Sequence, residues 1–273
     1  MTTDWLVDGN PGRVDPRDRG LAYGDGLFET MAARSGRIRW LDYHLDRLAE
    51  GCRRLGIPSP DPVVLRDEIG ATCPATGQAV VKLVVTRGVS ARGYAPPADP
   101  EPTRIVGTAR WPAYPASYYT DGIKLSTLKL RLGENPLLAG IKHLCRLEQV
   151  LAKLELHELS AQEGLLLDTS GFAVGGVASN VFAVSGAAVV TPEIKRCGVK
   201  GVMRRIVLES CEELGFRPVE ADLEPKALIE ADELFVTNAV FGIWPVRDLD
   251  GQAFRVGQAT RRLQRLLGYG GRV

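Results

Sequence analysis

The 273 residues are 45% hydrophobic and 25% charged, enough to bury a sizeable core in one large or two modest domains. With 34 basic and 33 acidic residues the formal net charge is +1, so no global field draws the chain to nucleic acid or to an anionic membrane. Five cysteines without a C-x-x-C pair, and three scattered histidines (His44, His143, His157), give no metal-ligand spacing.

The start, M-T-T-D-W-L-V-D-G-N, lacks the basic and apolar regions of a signal peptide, and no apolar run reaches membrane-spanning length. A reducing cytoplasm is the expected setting. The first helical spacing follows, with Leu41, Leu45, Leu48, Cys52 and Leu55 on one stripe and a stop at Gly56 and Pro58. Runs rich in Val, Ile and Leu predict strands over 79–86 and 104–109, and the proline-rich stretch 94–102 reads as a surface loop. W-P-A-Y-P-A-S at 111–117 favours an extended connector. It divides the chain into a smaller domain over 1–112, a linker over 113–118 and a larger domain over 119–273.

Beyond the connector, strands are expected over 122–128, 164–168, 180–184, 187–191 and 233–237. Leu144, Leu147, Leu151 and Leu154 form a second helical stripe, and a third helix over 202–214 ends at Gly215. No repeat or low-complexity tract interrupts this mixed α/β pattern, which lacks the regular alternation of a doubly wound sheet.

Lys142 stands out for its chemistry. At the expected start of the second helix, beside apolar residues, its amine can be partly desolvated, which favours the neutral nucleophile that a Schiff base needs. A lysine so placed more commonly snorkels to solvent. G-V-K-G-V-M-R-R at 198–205 runs from glycines into a helix, where the amides of Val202 and Met203 can cradle a phosphate; an ordinary helix entry reads the same way. Thr237 and Asn238 end a strand and can serve an anion or a turn. Arg47, one step off the first apolar stripe, can meet a phosphate or solvent. R-G-V-S-A-R-G-Y at 87–94 places Arg92 in a loop able to grip a carboxylate, or simply in a flexible basic loop. Y-G-D-G-L-F-E-T at 23–30 lacks the third glycine of a dinucleotide fingerprint.

Together these segments resemble the fold-type IV pyridoxal-phosphate enzymes, which include branched-chain and D-amino-acid aminotransferases and aminodeoxychorismate lyase. The resemblance rests on D-R-G-L-A-Y-G-D-G-L-F-E-T, H-L-D-R-L, the lysine segment, G-V-M-R and D-E-L-F-V-T-N, in that order along nearly the whole chain. T-R-G-V-S-A-R-G-Y, L-L-A-G-I-K-H-L-C-R-L-E-Q-V-L and N-A-V-F-G-I-W-P-V bring it nearest to the lyase branch. It implies two α/β domains with pyridoxal 5'-phosphate in the cleft between them, and a homodimer.

It further implies a Schiff base on Lys142, which later moves protons, and a phosphate held by Arg47, Val202, Met203 and Thr237. Thr30, Arg92 and Asn238 would lie near a small-molecule substrate. The implied reaction converts 4-amino-4-deoxychorismate to 4-aminobenzoate and pyruvate, a step of folate synthesis. An aminotransferase of the same fold is the alternative. Two positions depart from the pattern. Gly175 stands where the family carries a glutamate for the pyridine nitrogen, which weakens the electron sink and leaves open a cofactor-binding protein of impaired catalysis. Cys145 replaces the asparagine usual in the lyases.

Overall fold

The structure, a computed structural model, describes residues 5–269. The chain divides into two compact units, Met1–Pro112 with Ile141–Cys145, and Ala113–Gly140 with Arg146–Val273. Among the described residues, no helix is long and apolar enough to cross a membrane.

In chain order the first unit comprises β1 (Leu6–Val7), β2 (Asn10–Pro11), α1 (Arg19–Tyr23), β3 (Gly26–Arg34), β4 (Arg37–Ile38), α2 (Leu41–Leu55), α3 (Pro62–Thr72), β5 (Gln78–Thr86) and β6 (Arg104–Arg110). Its described strands form one antiparallel sheet in the order β2-β1-β6-β5-β3-β4. The expected stripe of α2 does what its spacing predicts. Leu45, Leu48 and Cys52 are buried with Leu65 and Ile69 of α3 against Met31, Val81, Leu83 and Val85 of the sheet. Burying each side chain of this size contributes about 1.5–3 kcal/mol. Gly56 ends α2 in the left-handed conformation, φ 61°.

The sequence reading missed β3, the central strand of the site. Its core-facing positions are Leu27, Glu29, Met31 and Ala33, so a buried carboxylate breaks the apolar alternation that marks a strand. The opposite face carries Phe28 and Thr30, and β5 places Lys82 directly across from Thr30.

The lysine segment differs from the expected helix start. Residues 141–145 lie extended along β3: the Phe28 amide donates to Lys142 O at 3.0 Å, and the Leu144 amide to Gly26 O at 3.0 Å. Gly26 permits this approach, because a Cβ there would come within 2.8 Å of Leu144 Cδ1 and 2.6 Å of Val85 O. Leu144 is therefore not part of the second helical stripe.

The second unit comprises α4 (Ser117–Thr120), β7 (Ile123–Leu132), α5 (Leu147–His157), β8 (Glu163–Asp168), β9 (Ala173–Gly176), β10 (Asn180–Ser185), β11 (Ala188–Pro192), α6 (Val202–Cys211), β12 (Arg217–Ala221), α7 (Pro225–Ile229), β13 (Glu233–Asn238), β14 (Gly242–Leu249), β15 (Gln252–Ala253) and α8 (Gln258–Leu266). Its mixed sheet runs β12-β11-β10-β13-β14-β7-β8-β9, with β15 beside β14. All six residues of β8 are buried, which explains the uninterrupted Leu165, Leu166 and Leu167 between its two terminal carboxylates. α5 turns Ala152 and Leu156 into the core but leaves Leu147, Val150, Leu151 and Leu154 exposed. The leucine stripe of the sequence thus faces outward. α6 and a following 3₁₀ turn, Glu212–Leu214, fill the expected third helix, which Gly215 ends at φ 74°.

Candidate active site

In the first unit, three buried or part-buried groups meet beside β3. Glu29 points from the strand into the core, where α2 presents His44 and Arg47 one turn apart. Arg47 Nε donates to Glu29 Oε1 at 2.8 Å, and its Nη2 donates to Oε2. His44 Nδ1 lies 2.6 Å from the same carboxylate. Burial alone would raise the Glu29 pKa, yet the charges and hydrogen bonds of Arg47 and His44 outweigh it and hold the group at about 2. Burial lowers the His44 pKa, against the pull of Glu29. His44 Nε2 is buried without a hydrogen-bond partner among the described residues. The sequence offers Arg47 a phosphate or solvent; the structure pairs it with Glu29, a residue the sequence reading did not single out.

On the opposite face of β3, the Lys142 amine sits 4.3 Å from the centre of the Phe28 ring and the Lys82 amine 5.3 Å from it. Both distances are within cation–π range. Thr30 shares this face, with Lys82 as its cross-strand partner. Lys82 was missed because a lone lysine in an apolar strand run gives no local signal. Arg92 is exposed in the loop after β5. Cys145 is exposed and packs its Sγ against the α1–β3 turn, 3.7 Å from Tyr23 O and 3.8 Å from Gly24 O.

The second unit holds the candidate phosphate site. α6 begins at Val202 after Gly201, with no side chain capping its N-terminus. The loop before it is fixed by Asn180, whose Nδ2 donates to Val199 O at 2.9 Å and whose Oδ1 accepts from the Gly201 amide at 3.1 Å. A Cβ at residue 201 would fall 2.1 Å from Asn180 Oδ1, so only glycine allows this contact. Thr237 is fully buried at the end of β13, and its Oγ1 has no partner among the described residues. An uncapped helix N-terminus suits an anion, and so does a buried hydroxyl that lacks an acceptor. These features of the second unit fit the phosphate of the implied cofactor.

Asn238 Nδ2 donates to Ala178 O at 3.1 Å, while its Oδ1 accepts from the amides of Val240 and Phe241 at 2.9 Å each. Its side chain therefore organises the β13–β14 turn. Gly175 lies in β9 opposite Leu166. A Cβ there would come within 2.8 Å of Ser179 O, in the tight turn where the Gly176 amide donates to that same oxygen at 2.8 Å. Glu163 braces the turn, accepting from the Val177 amide and the Ser179 hydroxyl at 3.1 Å each. Burial pushes the Glu163 carboxyl pKa up. The position of the missing glutamate thus has no room for a side chain without backbone movement.

Residues 26–249 match the family model described as amino-transferase class IV. The chain is 33% identical over 251 residues to aminodeoxychorismate lyase of Vibrio harveyi, covering 90% of this chain and 93% of that one. It is 34% identical over 266 residues to a putative branched-chain-amino-acid aminotransferase of Methanocaldococcus jannaschii, covering 95% and 91%. Among solved structures, 4-amino-4-deoxychorismate lyase of Pseudomonas aeruginosa superposes with a TM-score of 0.92 at 50% identity, over 96% of this chain and 97% of that one.

Proposed function

The chain belongs to the amino-transferase class IV family, the fold-type IV pyridoxal-phosphate enzymes, and on that premise we propose that it cleaves 4-amino-4-deoxychorismate to 4-aminobenzoate and pyruvate. The observation that carries this reading is the pair of amines, Lys82 and Lys142, beside Phe28 on the face of β3 opposite Glu29. The substrate has two carboxylates, one on the ring and one on the enolpyruvyl arm. Once Lys142 is committed to the cofactor, Lys82 and Arg92 remain as separate cations for them. An amino-acid donor with a single carboxylate has less use for both. The lyase names of the Vibrio and Pseudomonas relatives support the same reading.

Pyridoxal 5'-phosphate, the family's cofactor, supplies the electron sink for proton loss at the amine-bearing carbon. In this reading Lys142 would hold the cofactor, and its Nζ, freed once the substrate's amine takes its place, would accept that ring proton and return a proton to the methylene carbon of the departing enolpyruvate. The ring C–O bond breaks, its electrons leave with pyruvate, and the carbocycle becomes aromatic. Arg47, the Val202 and Met203 amides and Thr237 hold the phosphate, while Thr30 and Asn238 border the substrate. Aromatisation supplies a driving force that tolerates a weak sink, which suits a chain with Gly175 where an acid is expected.

The partner we propose is a second copy of this chain, docked on the exposed leucine stripe of α5. The acids that share this helix are already engaged within their own unit, Glu148 with the Gly133 amide and Glu155 with the Lys129 and Leu130 amides. Their engagement leaves Leu147, Val150, Leu151 and Leu154 as an exposed apolar stripe, a surface that a two-fold contact can bury.

The test is direct. Purified protein with added pyridoxal phosphate should convert aminodeoxychorismate to fluorescent 4-aminobenzoate and equimolar pyruvate. Lys142→Ala should lose both product and the visible absorbance of lysine-bound cofactor. Absence of product with cofactor demonstrably bound would sink the lyase reading and favour a binding protein of impaired catalysis. Amino transfer to an α-keto acid faster than pyruvate release would favour an aminotransferase.

A further inference from the structure

We propose that Arg19 is a positioning residue: its buried guanidinium sets the shape of the 88–95 loop and thereby determines which carboxylate-bearing substrate the loop admits. The inference rests on the reading that the loop of Arg92 meets the substrate.

Arg19 is only 4% exposed, yet it belongs to the short helix α1. Its donors converge on the loop. Nη1 reaches Ser90 Oγ at 3.1 Å, Gly93 O at 3.1 Å and Ala95 O at 3.3 Å, and Nη2 reaches Tyr94 O at 3.0 Å. Its backbone amide donates to Gly88 O at 2.9 Å. The loop itself buries little. Residues 91–95 are exposed, and Tyr94 is 85% so. A segment with so little buried apolar surface has no packing reason to hold one conformation. The carbonyls turned inward onto a single cation provide that reason instead, through charge-assisted hydrogen bonds.

The fifth guanidinium bond ties the loop to the rest of the unit. Arg19 Nε donates to Asp25 Oδ2 at 2.8 Å, and Arg87 donates to the same carboxylate from Nε at 2.7 Å and from Nη2 at 3.1 Å. Arg87 also donates to Leu55 O and Gly56 O at the end of α2, at 2.8 and 2.7 Å. Asp25 thus links the loop to the helix that carries His44 and Arg47. Tyr23 adds a second strap, its hydroxyl accepting from the Gly93 amide at 3.0 Å and its ring lying 5.4 Å from that of Tyr94. A lysine would keep the charge at position 19 but not the planar fork that reaches four loop residues and Asp25 together.

Arg19→Lys separates positioning from folding. Hydrogen exchange over 88–95 should quicken by about tenfold or more as these bonds are lost. KM for aminodeoxychorismate should rise by about tenfold, with kcat and the absorbance of bound cofactor changed by no more than about twofold. Should Arg19→Lys fail to fold, Tyr23→Phe removes only the Gly93 contact and should move exchange and KM in the same direction by less. Unchanged exchange in the folded variant overturns the proposal. So does a loosened loop with an unchanged KM, or a KM change that tracks loss of cofactor. If the wild-type protein releases no 4-aminobenzoate, the lyase reading falls, and the exchange experiment, which needs no substrate, still decides whether Arg19 orders the loop.

Discussion

Arg47 and Glu29 form a two-point ion pair between α2 and the core face of β3, with Arg47 Nε at 2.8 Å from Oε1 and its Nη2 donating to Oε2. The carboxylate is buried, so its function is to hold a guanidinium in one orientation rather than to meet solvent. Removing its charge leaves Arg47 and His44 facing a neutral amide. Glu29→Gln should lower unfolding stability by about 3 kcal/mol, within the cost of breaking a buried pair. Cofactor affinity should fall with it as Arg47 loses its anchor. Urea denaturation at unchanged m value measures the first and titration of visible absorbance the second. A loss below about 1 kcal/mol would mean that the pair behaves as an exposed one.

The same cluster predicts two acid limbs in stability. Burial depresses the His44 pKa below its ordinary 6.5, so the folded ring stays neutral where the unfolded chain binds a proton. The unfolded state then holds more protons, and the stability present above pH 6.5 is lost as pH falls below it. Glu29 is depressed from 4.5 to about 2, and its contribution, present above 4.5, is lost between those values. His44→Gln should remove the upper limb and Glu29→Gln the lower. A stability profile flat from pH 7 to 5 in the wild-type protein contradicts the His44 assignment.

Thr237→Val tests the second unit. The hydroxyl is buried and lacks a partner among the described residues, so its isosteric removal should leave stability unchanged or slightly higher. Pyridoxal-phosphate affinity should fall by about tenfold, the worth of one hydrogen bond to a charged acceptor. Equal affinity in both proteins would remove Thr237 from the phosphate site.

Gly175→Glu looks from the sequence like a simple restoration of the missing pyridine partner. The structure argues otherwise, because the new Cβ would meet the backbone oxygen of Ser179 at 2.8 Å. Gly175→Ala alone should cost about 1–3 kcal/mol by overpacking, and Gly175→Glu at least as much, with no gain in activity. A Gly175→Glu protein that is both stable and faster would show that the β9–β10 turn yields easily.

The α5 stripe gives a prediction about assembly. Leu147 is 77% exposed, and Val150, Leu151 and Leu154 extend the same face. Sedimentation should find a dimer in the wild-type protein and a monomer after Leu151→Asp with Leu154→Asp. A wild-type monomer, or a dimer untouched by the double change, rules out this face as the contact.

Much of this was written locally in the chain. The Leu45, Leu48 and Cys52 stripe announced itself because its residues bury in the period of a helix, and seven strand runs did so through short stretches of Val, Ile and Leu, several of them buried on both faces. The glycines around Val202 and the order of the motifs placed the family without any fold. What the sequence left undecided are pairings between distant segments. Lys142 reads as a helix start and Leu144 as part of its stripe, but the backbone there finds its hydrogen bonds on Gly26 and Phe28, more than a hundred residues earlier. Glu29 broke the strand pattern because it serves Arg47 and His44 in the core, and Lys82 gained its meaning only by lying opposite Thr30. Local spacing determines which face of an element is apolar. Which polar residues that element brings together is decided only when strand register and helix packing close over them.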